Sequence, residues 1–251
     1  MRILGVIPAR YASTRLPGKA LADIGGKSMV QRVMERAARA QRLAEVVVAT
    51  DDARIKQHVE NLGGVAVMTA ADHPSGTDRC HEALMIHGAG RFDAVVNIQG
   101  DEPFLVPEQI DELCAALSDA TGGIATLAHV VTDDHDLDDP GEVKITTDVH
   151  MDALYFSRAA IPHLHGAGNG PRHKAFRYLK HIGLYAYRKE VLARLVALKP
   201  SLLERAESLE QLRWTENGFK VRVGLSAHPS FCVDTPADLE VARRMVLEGH
   251  G

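Results

Sequence analysis
Between Ile3 and Leu117 short β-branched runs alternate with longer segments of helical period, a pattern that few folds accept. Ile3–Ile7, Val46–Ala49, Val65–Met68 and Ala94–Ile98 read as strands, and Met29–Arg42, Ala53–Leu62, Asp78–His87 and Pro107–Leu117 as helices. Strand followed by helix, repeated, makes a mainly parallel sheet with helices on both faces. In the first helix Val30, Val33, Met34, Ala37 and Ala38 recur at helical spacing, with Ser28 placed to cap it. Gly63-Gly64 is a helix stop that feeds the next strand.

The pattern changes near Gly122. Ile124–Val131, Val143–Thr147, Ala153–Phe156 and Ile182–Tyr187 read as strands with no full helix between the first three, which predicts a smaller β-rich subdomain. The expected division is residues 1–122 and 188–251 in an α/β domain and 123–187 in the subdomain. Gly166, Gly168, Gly170 and Pro171 mark a loop. The end of the chain returns to helices at Glu190–Leu198 and Leu203–Asn217, a strand at Lys220–Leu225, and a last helix over Pro236–Leu247 with Thr235 as its cap.

Composition excludes several function classes. A net charge of -4 supplies no basic field for nucleic acid, and no run approaches the roughly 18 apolar residues of a membrane span. The short apolar run after Met1-Arg2 reads as a first strand rather than a secretory signal, so a cytoplasmic location is expected. Cys80, Cys114 and Cys232 form no Cys-x-x-Cys and are expected to be buried or idle thiols. His163, His165, His173 and His181 have no zinc-site spacing.

Pro8-Ala9-Arg10-Tyr11-Ala12-Ser13-Thr14-Arg15-Leu16-Pro17-Gly18-Lys19 follows the first strand with three cations and no acid. Arg10, Arg15 and Lys19 can meet anionic oxygens from several directions, while Ala9, Ala12, Ser13 and Gly18 let backbone N–H groups approach a phosphate. A polyphosphate suits such a loop, and the competing reading is a solvated basic loop. The chain has neither Gly-x-x-x-x-Gly-Lys-Ser/Thr nor Gly-x-Gly-x-x-Gly, which argues against a standard ATPase or GTPase and against NAD.

Two further strand ends carry carboxylates. Asn97-Ile98-Gln99-Gly100-Asp101-Glu102-Pro103 and Phe231-Cys232-Val233-Asp234-Thr235-Pro236 each place an Asp after an apolar run. Carboxylate beside triphosphate requires a cation between them, and Mg²⁺ takes one or two carboxylates plus phosphate oxygens. A turn residue at Asp101 and a helix cap at Asp234 are the alternatives. In His73-Pro74-Ser75-Gly76-Thr77-Asp78-Arg79, Ser75 or Thr77 can cap the following helix; Arg79 can contact a ligand or pair with Asp78 or Glu82.

These segments together resemble the sugar-acid cytidylyltransferases, most of all the 3-deoxy-manno-octulosonate (Kdo) cytidylyltransferase, or CMP-Kdo synthetase, family. The likeness runs from Ile7 to Leu239, carried by the basic loop Ile7–Lys19, Ser75–Arg79, Gln99–Pro103, Val233–Leu239, Tyr155–Pro162, Lys180–Tyr187 and Ser208–Arg213. It implies a Rossmann-like, nucleotide-diphospho-sugar transferase-like fold in which the basic loop wraps CTP. The implied CTP contacts are Pro8, Ala9, Arg10, Ser13, Arg15, Lys19, Ser75, Gly76, Arg79 and Gln99. Arg10, Lys19, Asp101 and Asp234 are the implied catalytic residues, with Asp101 and Asp234 as Mg²⁺ ligands. Arg158 would face the Kdo carboxylate, and His181, Tyr185, Glu210 and Gln211 would bind its hydroxyls. The implied activity makes CMP-Kdo and pyrophosphate for lipopolysaccharide biosynthesis, in a homodimer. An 8-amino Kdo analogue, another sugar acid, or a silent nucleotide-binding module are the alternatives. The chain departs from the family at Gly141, where Asn is expected, and at Cys232, where Gly is usual.

Overall fold
The computed structural model describes residues 1–13, 15–166 and 170–249, so Thr14 of the basic loop and Gly168 of the glycine-rich loop lie outside the described residues. The chain divides into two compact units. The first is built from Met1–Asp111, Arg188–Val196 and Ser230–Gly251, the second from Glu112–Tyr187 and Ala197–Pro229.

In the first unit, β1 (Ile3–Pro8), α1 (Met29–Ala37), β2 (Glu45–Thr50), α2 (Ala53–Asn61), β3 (Val65–Met68), α3 (Gly76–Gly88) and β4 (Ala94–Asn97) follow one another. The spatial order is β4-β1-β2-β3, all parallel. The chain steps outward from β1 to β2 and β3, then returns to add β4 on the other side of β1. Because parallel crossovers are right-handed, that reversal puts α1 and α2 on one face of the sheet and α3 on the other. It also makes the β1/β4 boundary the topological switch point, and ligands bind outside the carboxyl ends of strands at such a point.

α1 is capped by Ser28, whose hydroxyl accepts the Gln31 N–H at 3.2 Å. It ends at Ala37, five residues before the expected Arg42: Ala38 is its C-cap and the chain turns back so that Ala40 is buried. α2 ends at Asn61 with Leu62 as its C-cap, and the positive φ of Gly63 beyond it allows Gly64 N–H to reach Val59 O at 3.0 Å.

After α4 (Pro107–Asp119), the second unit contains β5 (Ile124–Val130), α5 (Asp134–Asp138), β6 (Lys144–Thr147), β7 (Ala153–Ser157), α6 (Arg172–Ala175) and β8 (Leu179–Arg188). β8 runs antiparallel to β5 and to β6, and β6 pairs antiparallel with β7. The short helices α5 and α6 were not expected. The five-residue α5 rests on its cap, Asp133, which accepts the His135 N–H at 2.9 Å.

α7 (Lys189–Leu195) belongs to the first unit. The expected helix over 203–217 is two, α8 (Leu202–Glu207) and α9 (Gln211–Glu216), because Ser208 takes a left-handed conformation with φ 53° and ends the first. β9 (Arg222–Leu225) pairs parallel with β5, which places residues 197–229 with the second unit. α10 (Pro236–Leu247) starts from a reciprocal cap between Thr235 and Asp238 and packs Leu239 and Ala242 on Ile24 and Met29.

Candidate active site
The basic loop leaves β1 and folds on itself. Ser13 and Gly18 both donate their N–H to the Tyr11 carbonyl, at 2.9 and 3.2 Å, and Lys19 N–H reaches Leu16 O at 3.1 Å. Arg54 lies 3.4 Å over the Tyr11 ring and holds that residue against the body of the unit. Gln99-Gly100-Asp101 leaves the neighbouring strand β4. A Cβ on Gly100 would stand 2.6 Å from Pro8 O, so only glycine lets the two strand ends approach this closely.

One cleft of about 270 Å³ opens at this switch point. It is lined by Pro8, Ala9, Arg10, Ser13, Arg15, Lys19, Ser75, Gly76, Arg79, Gln99, Asp101 and Asp234, so all of the residues named for CTP and the metal surround a single space. Ala20, His73, Pro74 and Gly100 line it too and were not named from sequence. His73 is held by Glu82 at 2.5 Å, a pairing across nine residues that no local motif announces.

The electrostatic centre is Lys19. Its Nζ donates to Asp101 Oδ2 at 2.7 Å and to Asp234 Oδ1 at 3.0 Å, and Arg15 Nη2 lies 3.1 Å from the same Asp234 oxygen. Burial opposes the charge on Lys19, but the charges and hydrogen bonds of the two aspartates together outweigh it and raise its pKa above the ordinary lysine value. Asp234 is not the helix cap; Thr235 is. Asp101 and Asp234 are further joined through the backbone, where Val233 N–H donates to Asp101 O at 2.9 Å.

Cys80 and Cys114 are buried, but Cys232, which stands beside the aspartates, is an exposed residue. Desolvation by the surrounding protein and the negative charges of Asp101, Asp234 and Glu102 push its thiol well above its usual pKa, with Lys19 offsetting part of this. Glu102 is itself buried, and burial together with the Asp101 charge raises its pKa to about 8.

At the start of α3 the Ser75 hydroxyl accepts the Thr77 and Asp78 N–H groups at 3.2 and 3.3 Å and donates to Asp78 Oδ2 at 2.6 Å. Ser75 therefore caps the helix while lining the cleft. Arg79 pairs with neither Asp78 nor Glu82. It is buried, donates to Thr69 Oγ1 at 2.5 Å and lies 3.7 Å from Asp51 Oδ2.

The second unit carries the residues named for the sugar acid. In β8 the register against β5 slips: Ile182 lies opposite Leu127, but Tyr185 lies opposite Thr126. Gly183 and Leu184 are the extra residues, and the bulge puts His181 and Tyr185 opposite Ala128 and Thr126, two partner positions apart instead of four. Their ring centroids are 5.2 Å apart, and Tyr187 stacks beyond Tyr185 at 6.0 Å. Trp214 closes the row edge-on, 5.0 Å from Tyr185.

Thr126 assigns the histidine tautomer. Its hydroxyl proton goes to Leu184 O at 2.8 Å, so the same oxygen accepts from His181 Nε2–H at 2.9 Å and leaves Nδ1 as an acceptor. Burial lowers the His181 pKa to about 3, keeping the ring neutral. Burial and the Glu210 charge raise the Tyr185 phenol well above its ordinary value. Gln211 is buried one turn before Trp214 on the same helix face.

Arg158 is engaged in a different way. Its guanidinium donates to Glu207 O at 2.8 Å, Pro140 O at 2.8 Å and Ser208 O at 3.4 Å, which commits three of the five N–H donors to backbone carbonyls. It ties the 140 loop to the end of α8.

Residues 4–222 match the family model described as cytidylyltransferase. The chain belongs to the cytidylyltransferase family. It is similar to the 3-deoxy-manno-octulosonate cytidylyltransferase of Bacteroides thetaiotaomicron, 50% identical over 249 residues that cover 98% of each chain. A relative of the same name from Geobacter sulfurreducens is 49% identical over 96% of this chain and 97% of its own. The solved structure of CMP:2-keto-3-deoxy-manno-octonic acid synthetase complexed with CTP aligns with a TM-score of 0.90 at 43% identity, covering 99% of both chains. A 4-diphosphocytidyl-2C-methyl-D-erythritol synthase from Anaerococcus prevotii, at 15% identity and a TM-score of 0.63, shares the fold.

Cytidylyltransferases are nucleotidyltransferases, and the donors in this cleft suit the divalent ion such chemistry employs. Asp101 Oδ1 is buried with no hydrogen-bond partner among the described residues, while Oδ2 and Asp234 Oδ1 now meet an ammonium. An oxygen-rich pair already arranged around a positive charge fits a hard cation.

Proposed function
We propose that this protein transfers the cytidylyl group of CTP to Kdo, releasing pyrophosphate and supplying CMP-Kdo for lipopolysaccharide biosynthesis. The observation that carries the reading is the single cleft at the β1/β4 switch point, where Arg10, Arg15 and Lys19 surround two converging aspartates. The first unit holds the nucleotide; the second, β-rich unit holds the sugar acid and supplies the contacts of a cytoplasmic homodimer.

In the reaction the 2-hydroxyl oxygen of the acid bonds to the α-phosphorus, the bond from that phosphorus to the β-phosphate oxygen breaks, and the hydroxyl proton passes to solvent. Arg10, Arg15 and Lys19 bind the β- and γ-phosphates and carry the charge of the departing pyrophosphate. Asp101 and Asp234 would hold Mg²⁺, which when bound polarises the α-phosphate and acidifies the attacking hydroxyl. Ser75, Gly76, Arg79 and Gln99 line the part of the cleft assigned to the nucleoside. In the second unit His181, with Tyr185 beside it, presents Nδ1 as an acceptor for a sugar hydroxyl, and Glu210 and Gln211 are assigned to the remaining hydroxyls. The two N–H donors of Arg158 that no described residue engages suit the carboxylate.

Pyrophosphate release measured with each of the four nucleoside triphosphates, with and without Kdo or its 8-amino analogue, tests the reading. Release only with CTP and Kdo is expected. Release with the analogue alone would replace the acceptor, and CTP binding without release would remove the activity. Asp101→Asn is expected to fold normally and to lose about 100- to 1,000-fold in turnover.

A further inference from the structure
The donor atoms of Asp101, Asp234 and Cys232 all lie within 4.8 Å of one another, close enough for one ion to touch all three. Nothing in the reading of the active site uses the thiol. Lys19 and Arg15 both engage these aspartates, yet buried acceptor oxygens here remain without a described partner. Asp101 Oδ1 and Glu102 Oε2 are both buried with no hydrogen-bond partner among the described residues, and the Glu102 residue is only 4% exposed. Lys19 Nζ meets Asp101 Oδ2 and Asp234 Oδ1, and Arg15 Nη2 meets the same Asp234 oxygen, which leaves Asp101 Oδ1 open to an entering ion beside the Cys232 sulfur.

We propose that Cys232 is a third donor to the cation site of Asp101 and Asp234, and that it turns a site suited to hard ions into one that prefers thiophilic divalent metals. The inference rests on the two aspartates being the metal ligands. Carboxylate oxygens serve Mg²⁺ and Mn²⁺, whereas a thiolate selects softer ions such as Cd²⁺ and Zn²⁺. When such an ion enters, the S–H bond breaks, its proton goes to solvent, and sulfur bonds to the metal. The ammonium of Lys19 leaves the two carboxylates. Three protein donors leave coordination positions open for phosphate oxygen or water.

Cd²⁺ alone is the probe, followed by ultraviolet thiolate-to-cadmium charge-transfer absorption and by titration calorimetry of the nucleotide-free protein. Wild type is expected to show the absorption band. Cys232→Ser is expected to lack the band and to bind Cd²⁺ about tenfold or more weakly, with Mg²⁺ affinity changed less than about twofold. Cys80 and Cys114 are buried, so Cd²⁺ should slow iodoacetamide labelling at Cys232 in particular, read by peptide mass mapping without any variant. Equal Cd²⁺ affinity in the two proteins, or labelling of Cys232 that Cd²⁺ leaves unchanged, would overturn the proposal. The aspartate reading is tested separately: Asp101→Asn should weaken Mg²⁺ binding whether or not sulfur takes part.

Discussion

Lys19 occupies the place where opposite demands meet. Its ammonium bridges Asp101 and Asp234, at 2.7 and 3.0 Å, and with Arg15 on Asp234 offsets their mutual repulsion. In the proposed reaction the same ammonium must turn to the triphosphate, so it competes with Mg²⁺ for the two carboxylates and then cooperates with it. Lys19→Met separates these roles. The variant should bind Mg²⁺ more tightly than wild type in the absence of nucleotide, measured by calorimetry, and turn over about 100- to 1,000-fold more slowly. Weaker Mg²⁺ binding in the variant would show that the lysine supports the metal site instead of blocking it. The loop's cations and Asp101 were legible in the sequence because each follows an apolar strand, and Asp234 because it follows an apolar run, although Phe231–Val233 forms no strand where one was expected. The direct Lys19 bridge was not, since it joins residues 82 and 215 positions apart.

At the scale of elements, regular pieces were readable and irregular ones were not. Val65–Met68 and Pro236–Leu247 have the bounds expected of them, because β-branched composition and a Thr-Pro start are local signals. The break at Ser208 is carried by one left-handed residue inside an otherwise helical pattern. The bulge at Gly183-Leu184 leaves no trace in periodicity beyond a glycine, yet it brings His181 beside Tyr185. That packing has a measurable consequence. An unfolded imidazole titrates at its ordinary 6.5, but the folded ring at about 3 refuses the proton, so the unfolded chain gains protons first as pH falls. Between pH 6.5 and 3 this favours unfolding by up to about 1.4 kcal/mol per pH unit, less where solvent reaches the ring. Denaturant melts of His181→Gln should show a shallower loss of stability over that window than wild type. Parallel acid limbs in the two proteins would mean that the ring is protonated in the folded state.

For the whole molecule, the division into units does not follow the order of the chain. The first unit is assembled from three separated segments and the second from two, so neither is one uninterrupted stretch of the chain. Sequence placed the subdomain at 123–187, but residues 197–229 group with the second unit because β9 pairs with β5, a contact between strands almost 100 residues apart that composition cannot reveal. The last segment of the first unit shows what this interleaving requires. Val233, Leu239 and Ala242 cover Ile24 and Met29, and Asp234 enters the cleft from the same stretch. Burying each large apolar side chain is worth about 1.5–3 kcal/mol, so losing this cluster costs on the order of 5–10 kcal/mol, comparable to the net stability of a domain. A chain ending at Pro229 should therefore melt well below the full protein, or aggregate, and should not bind CTP. Asp234→Asn supplies the control: it keeps α10 and its apolar cover, so its melting temperature should stay near wild type while turnover falls. If the truncated chain unfolded at the same temperature as the full protein, the packing of α10 would have no part in holding the first unit together, and the convergence of Asp234 on Lys19 would need another source.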